Sequence, residues 1–271
     1  MTAAVHVRGL CFSHRDRPVL RDLSFSVEKG EFFIIIGPNG VGKTSLMRII
    51  SGFLKPGSGE LGILGTPYSQ YSPKTLARVI AVVSQAMPHD FPFTVFETVL
   101  MGRAPHLSLL GLEGKKDMEI ALRAMALTQV DHLAKRRLDR LSGGELQRTF
   151  IARALAQEPC VILLDEPTAS LDPAHQIRLM DLLETLRQEK GMTVVMVSHD
   201  LNLAAMYGDR LLLLKEGCLF SLGLAREVLK REVIEAAYHC PMLVDQVLPG
   251  GILRVTPVPQ KYRTGAAPEP E

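Results

Sequence analysis

The sequence predicts an α/β protein: a mainly parallel, mixed sheet, with an antiparallel β region before it and a helical subdomain inserted into it. Three observations carry that prediction. CVILLDE and MTVVMVSHD are almost continuously apolar and bracket the helical pattern AHQIRLMDLLETLRQEK. Strands without polar alternation, separated by helices, belong to sheets covered on both faces. Residues 5–36 instead alternate short apolar runs with turns and end in EFFIII, the pattern of antiparallel strands leading into a buried one. Between residues 90 and 157 the period turns helical, through ETVLMGRA, DMEIALRAMALTQV and a segment starting at Ser142.

Taken in order, EFFIII is followed by the helix KTSLMRIISGFL, closed by Lys55-Pro56-Gly57. RVIAVVSQ is a strand ending in a polar residue. After the helical subdomain and the two apolar strands, RLLLLKEG and CLFSLG read as a hairpin closing the core. LAREVLKREVIEAAYH is helical, and MLVDQVLPGGILRVTP resembles a hairpin around Pro249-Gly250-Gly251. The last residues, RTGAAPEPE, read as a disordered tail. This divides the chain into residues 1–89 (β region and first part of the core), 90–157 (helical subdomain), 158–225 (second part of the core) and 226–271 (C-terminal extension).

Composition narrows the function. The chain has 271 residues, 46% hydrophobic, enough for a sizeable core without staples. A net charge of +2 is too balanced for a nucleic-acid binder driven by phosphate neutralisation, so no nucleic-acid partner is expected. The four cysteines (Cys11, Cys160, Cys218, Cys240) are far apart and lack metal-ligand spacing. MTAAVHVRGL lacks the basic flank and apolar run of a signal peptide, and no apolar run approaches the roughly 20 residues that span a bilayer. A cytosolic chain is expected.

The chemistry is concentrated in a few stretches. GPNGVGKT, residues 37–44, fits G-x-x-x-x-G-K-[ST] with a strand before it and a helix after it. Gly37, Gly40 and Gly42 let consecutive backbone amides of the loop, which runs through Pro38, Asn39 and Val41 to Ser45, point at phosphate oxygens. Lys43 is placed to reach the β- and γ-phosphates of ATP, and the Thr44 hydroxyl to bind Mg²⁺. In CVILLDE, the apolar run carries Asp165 to a strand's C-terminal end, where α/β sheets bind ligands. Asp165 is expected to hold Mg²⁺. Glu166, next to it, is the candidate general base for a water in line with the γ-phosphate. Gln85 and His199 each end a strand, so both can face the same sheet edge. Alone, each would read as a turn or capping residue. Beside these motifs, Gln85 is expected to sense Mg²⁺ and the attacking water, and His199 to contact the γ-phosphate.

LSGGELQRTFIARAL, residues 141–155, poses a puzzle. Ser142 and Glu145 stand at capping-box spacing, yet Gly143 and Gly144 between them cost roughly 1 kcal/mol each against alanine in a first helical turn. Bare backbone at a helix N-terminus lets an anion come close. The chain therefore carries two cradles for one phosphate chain.

Together, GPNGVGKT, Gln85, LSGGE, VILLDEPTASLD and His199, in this order, resemble the full motif set of an ABC-transporter ATP-binding subunit, over residues 5–225. The resemblance implies a P-loop nucleotide-hydrolase (RecA-like) core and a head-to-tail homodimer, a self-complementary contact. In that dimer ATP lies between one subunit's phosphate loop and Ser142, Gly143, Gly144 and Glu145 of the other. Ser170-Leu171-Asp172 resembles the family's D-loop, which crosses the interface. It also implies two integral-membrane permease subunits, an indirect substrate-binding protein, and a peripheral location on the cytoplasmic face of the cell membrane. FPFTVFETVLMGRAPH and HDLNLAAMYGDRLLLLKEG are similar to importer ATPases for iron-siderophore, haem and vitamin B12. In that group Phe91 to Phe96 would help dock a permease helix; alternatively Phe91, Phe93 and Phe96 are core. One departure stands out: His14 occupies the position of the family's adenine-stacking tyrosine, with Phe12 two residues earlier. The alternatives are an importer for another substrate, such as a bare metal ion, or a soluble ABC ATPase of cluster assembly or DNA repair.

Overall fold

Phe32–Ile36, five residues all buried, form the strand around which the layout is organised. The computed structural model describes residues 3–85, 92–108, 112–169, 171–248 and 251–262. Phe91, Ser170, the Pro249-Gly250 turn and the tail from Arg263 lie outside the described residues. The first part of the chain gives β1 (Val5–His14), β2 (Arg17–Val27), β3 (Phe32–Ile36), α1 (Lys43–Ile50), β4 (Ser58–Ile63), β5 (Thr66–Pro67), α2 (Pro73–Val79) and β6 (Ile80–Val83). Then come α3 (Val95–Leu100), α4 (Lys115–Leu127) and α5 (Gly143–Ala156). The chain returns to the sheet with β7 (Val161–Asp165), α6 (Pro173–Lys190), β8 (Thr193–Val197), α7 (Leu201–Tyr207), β9 (Arg210–Lys215) and β10 (Cys218–Gly223). It ends with α8 (Ala225–Val228), α9 (Arg231–Tyr238), β11 (Met242–Leu248) and β12 (Ile252–Pro257).

The central sheet has the order β10-β9-β3-β8-β7-β6, parallel from β9 to β6 and antiparallel at β10. Its side chains alternate between two cores. Phe32, Ile34, Leu164, Met196 and Leu213 face one, and Phe33, Ile35, Leu163, Val195 and Leu212 the other. Both faces are covered, which is why the strands read as unbroken apolar runs. Each fully buried side chain of this kind contributes about 1.5–3 kcal/mol. The second core holds α1 between this sheet and the antiparallel sheet β2-β1-β4-β5. Phe25 of β2 stacks on Phe33 of β3 at 5.7 Å and ties the two sheets together.

Several elements differ from the sequence reading. α1 ends at Ile50, before the Lys55-Pro56-Gly57 stop: Gly52 takes φ +83° and Leu54 N–H bonds back to the Arg48 carbonyl at 2.9 Å. Strands β4 and β5 and helices α2 and α7 were not anticipated. The cues for α2 were present, since Ser72 and Thr75 form a capping box with Pro73 at the first turn. ETVLMGRA splits into α3 and a 3-10 turn at 101–106 that contains Pro105. The single helix expected from residue 224 is two. Lys230 is extended, and the break lets Val228 and Leu229 on one side and Ile234 and Ala237 on the other all reach the core.

The helical subdomain is held by the 101–106 turn. Arg103, 4% exposed, bonds Asp117 Oδ1 of α4 at 2.9 Å, the Ala156 carbonyl at the end of α5 at 2.7 Å and Glu158 Oε2 at 2.9 Å. Gly102 packs so close to α5 that a Cβ there would lie 2.2 Å from the Arg153 carbonyl oxygen. Gly102→Ala should therefore cost about 1–3 kcal/mol by overpacking. Urea unfolding checks this: an unchanged midpoint would mean that the turn does not press on α5.

Candidate active site

Asp165 ends β7, and Gln85 and His199 follow the C-terminal ends of the parallel strands β6 and β8, at the edge where β3 runs into the phosphate loop. A fully buried sheet leaves polar side chains room only beyond its strand ends, and the crevice there is where such sheets bind ligands.

The loop from Gly37 to α1 needs glycine for two reasons. Gly37, at φ +145°, would place a Cβ 2.4 Å from the Leu214 carbonyl oxygen, and Gly42, at φ +102°, would place one 2.6 Å from Leu20 Cδ2. The loop is thus wedged between β9 and the β1–β2 hairpin. Gly42 caps α1 with no side-chain acceptor, and the first turn of α1 has no acidic residue. Its N-terminal amides are orphan donors facing a crevice, and this fits a phosphate chain. Asn39 and Gly40 are exposed at the loop's tip, Pro38, Val41, Thr44 and Ser45 half-buried. Lys43, 5% exposed, folds back to donate to the carbonyls of Gly37 at 2.7 Å and Pro38 at 2.8 Å. Burial lowers its pKa, against the opposing pull of Glu166 and Asp165.

Asp165 is 8% exposed and accepts a hydrogen bond from the Thr44 hydroxyl at 3.4 Å. Burial raises its pKa, and the Thr44 bond works against that. Thr44, Gln85 and Asp165 line one small cavity of about 130 Å³ with Arg48 and Ser84. Among the described residues no group of three or more His, Cys, Asp or Glu could hold a metal. A site with one carboxylate, one hydroxyl and one carboxamide suits Mg²⁺, which takes one or two carboxylates and completes its shell with water and substrate phosphate.

Glu166 is the most constrained residue of the site. Its backbone is left-handed, φ +52°, and its N–H bonds the Val197 carbonyl at 3.1 Å. Such a conformation costs about 1–3 kcal/mol and gathers at functional positions. Gln85 Nε2 donates to Glu166 Oε2 at 2.7 Å, and His199 Nε2 pairs with Oε1. One carboxylate thus joins the ends of three adjacent strands.

The Ser142 helix is capped as expected. Ser142 N–H donates to Glu145 Oε2 at 2.8 Å, Glu145 N–H donates to Ser142 Oγ at 3.3 Å, and the Ser142 backbone bond lowers the Glu145 pKa. Ser142 and Gly143 are exposed. Among the described residues, the hydrogen bonds of residues 142–145 stay within this region and none reaches the phosphate loop. A Cβ at Gly143 would meet nothing within 4 Å, and one at Gly144 only ordinary contacts, Leu171 Cδ2 the closest at 3.6 Å. Neither has a positive φ. Among the described residues, nothing inside the subunit requires these two glycines.

His14 is exposed at the end of β1, opposite Arg17. Phe12 pairs with Leu20, the residue that abuts Gly42, and packs against the second core. Phe96 packs on the first core. Asp172 caps α6, accepting the His175 N–H at 3.0 Å. Two residues near the site escaped the sequence reading. Arg48 lines the Asp165 cavity and its charge lowers the Asp165 pKa; its i,i+4 spacing from Thr44 on one helix face was the available signal. Tyr238 of α9 has its hydroxyl buried beside the Gly37 backbone, and burial pushes its pKa up to about 12. Nothing in the sequence signals a contact across so many residues.

Residues 20–169 match the ABC transporter family. The ferric enterobactin transport ATP-binding protein of Escherichia coli (strain K12) is 41% identical over 91% of this chain and 93% of its own. The cassette of a metal-chelate type ABC transporter in an inward-facing conformation superposes with a TM-score of 0.85 at 32% identity, over 97% of this chain and 100% of that one. A dimeric ATP-binding cassette, MJ0796, solved in a post-hydrolysis state with ADP and phosphate, gives 0.72 at 30% identity over 82% and 99%. The chain belongs to the ABC transporter family, as an ATP-binding cassette that hydrolyses ATP.

Proposed function

We propose that this chain is the ATPase of an importer for a metal chelate: a ferric siderophore, haem or cobalamin. It would work as a homodimer beneath two integral-membrane permease subunits, on the cytoplasmic face of the cell membrane, with a substrate-binding protein acting through the permease. The likeness to the enterobactin and metal-chelate cassettes supports the substrate class. No helix among the described residues is long and apolar enough to cross a membrane, and in this reading the permease is the partner that does. A groove of about 480 Å³ between the end of α1, α2 and the 101–106 turn offers that partner a seat. Phe53, 72% exposed, and Met101 present apolar surface there, while Phe96 is occupied by the core.

The observation that carries the hydrolytic reading is Glu166 held by Gln85 and His199 beside Asp165 and Lys43. In the reaction, a water oxygen bonds to the γ-phosphorus as the bond to the β–γ bridging oxygen breaks, giving ADP and inorganic phosphate. Glu166 takes the water's proton, and Gln85 and His199 fix the direction in which its carboxylate points. The amides of residues 40–45 and the Lys43 ammonium bind the phosphate oxygens and balance their charge. Thr44, Asp165 and Gln85 would hold Mg²⁺, which supplies electrostatic stabilisation of the transferred phosphoryl group. Glu166→Gln should keep ATP binding, slow turnover by roughly 10²-fold or more and trap an ATP-bound dimer. Near wild-type hydrolysis by a pure sample would sink the assignment.

The adenine contact is assigned to His14, exposed at the tip of the hairpin that buttresses Gly42. Stacking on a base is worth roughly 1–3 kcal/mol, and an imidazole, with less area than a phenol, should give the low end, about tenfold in affinity. Calorimetry should find ATP weakened by His14→Ala and preserved or tightened by His14→Tyr. A well-folded Phe12→Leu chain with a large loss, beside an unchanged His14→Ala, would move the contact to Phe12.

A further inference from the structure

Asn202, in the first turn of α7, uses its side-chain amide as though it were the peptide group of a neighbouring strand. Its Oδ1 accepts the Val255 N–H at 2.8 Å, and its Nδ2 donates to the Val255 carbonyl at 3.3 Å. Val255 lies within β12, is 4% exposed, and gives both main-chain groups to this one side chain. On its other side Asn202 leads directly to the catalytic loop. Its own N–H and that of Leu203 donate to Asp200 Oδ1 at 2.8 and 3.0 Å. Asp200 N–H donates to Ser198 Oγ at 3.0 Å, and that hydroxyl donates to the Asp200 carbonyl at 3.1 Å. His199, paired with Glu166, sits inside this ring of bonds. A shift at residue 202 therefore has few free torsions to absorb it before residue 199.

The hairpin is itself anchored. Met242 N–H at the start of β11 donates to Glu235 Oε1 of α9 at 2.8 Å, and Ile234, Ala237, Met242 and Val255 are buried in the first core. The same α9 sets Tyr238 against the phosphate loop. The C-terminal extension thus touches the site twice, on elements far apart in the chain.

We propose that the hairpin β11–β12 is a positioning element for ATP hydrolysis, and that Asn202 is the positioning residue that transmits its hold to His199. This rests on the reading of Glu166 and His199 given above. A misplacement of about 1 Å in a catalytic group can cost 10²-fold, so losing this two-bond tie should cost about tenfold in kcat. Asn202→Asp removes the donor and sets an anionic oxygen opposite the Val255 carbonyl. Val255→Pro removes the N–H that Asn202 accepts.

The test is steady-state ATPase kinetics and ATP binding on the full chain for Asn202→Ala, Asn202→Asp, Val255→Pro, the Asn202→Ala/Val255→Pro double variant and His199→Ala, each with its unfolding midpoint. The expected result is kcat lowered about tenfold by each tie variant with KM for ATP within about twofold, and a double variant no slower than the worse single. Should Asn202→Ala not fold, Asn202→Asp and Val255→Pro carry the same expectation. Wild-type kcat in a folded tie variant, or losses that add in the double, would overturn the proposal while leaving His199 in its role. A His199→Ala chain as active as wild type would instead remove the reading beneath it, and the proposal with it.

Discussion

A sheet with no free face is the constraint on which the rest of this molecule depends. β3, β7 and β8 bury every residue, alternately into one core and the other. Along such strands no polar side chain can be carried without a partner, at a cost of about 1–3 kcal/mol or more for an unpaired group. Chemistry is therefore pushed to the strand ends, and parallel pairing puts those ends on one edge. Gln85, Glu166 and His199 come from three neighbouring strands, and the sheet order β8-β7-β6 sets their ends side by side, where they meet at one carboxylate.

The glycines of the two cradles answer to different constraints. Gly37 and Gly42 are fixed from within, by the Leu214 carbonyl and by Leu20. Gly143 and Gly144 have space around them and ordinary helical backbone, yet they sit where glycine lowers helix stability. We propose that the gain offsetting that cost lies outside the subunit: a second copy, with nucleotide in its phosphate loop, would bring a phosphate chain to the exposed N-terminus of α5, and a two-fold axis would satisfy both copies at once.

The site was more legible in the sequence than the fold. The loop from Gly37 to Thr44, the Asp165-Glu166 pair and the Ser142 cap are local patterns whose spacing encodes their geometry, and the structure places each at an element's end. That Gln85 and His199 would share an edge followed from each closing an apolar run; that both would bind Glu166 did not, since it depends on strand order. The short elements were lost for a similar reason. β4 and β5 are stabilised by pairing with β1 and with each other, and α7 by Asp200 and Val255, none of which a local window reports. The stop that Gly52 sets just beyond α1 was readable, but Pro56 was the louder signal. The contacts of the C-terminal extension, from Tyr238 to the phosphate loop and from Val255 to α7, had no local trace at all.

The central claim is that each ATP is enclosed by the phosphate loop of one subunit and the Ser142 helix of the other. Complementation between two inactive chains tests it most directly. Ser142→Arg should abolish hydrolysis while each subunit still binds ATP through its own loop; Lys43→Ala should lose its own phosphate grip. Mixed, they leave one intact half-site per heterodimer, so ATP-dependent dimerisation of the mixture, followed by analytical ultracentrifugation, should exceed that of either chain alone. Loss of ATP binding by the isolated Ser142→Arg monomer would contradict the account, because the Ser142 helix would then serve the nucleotide of its own chain.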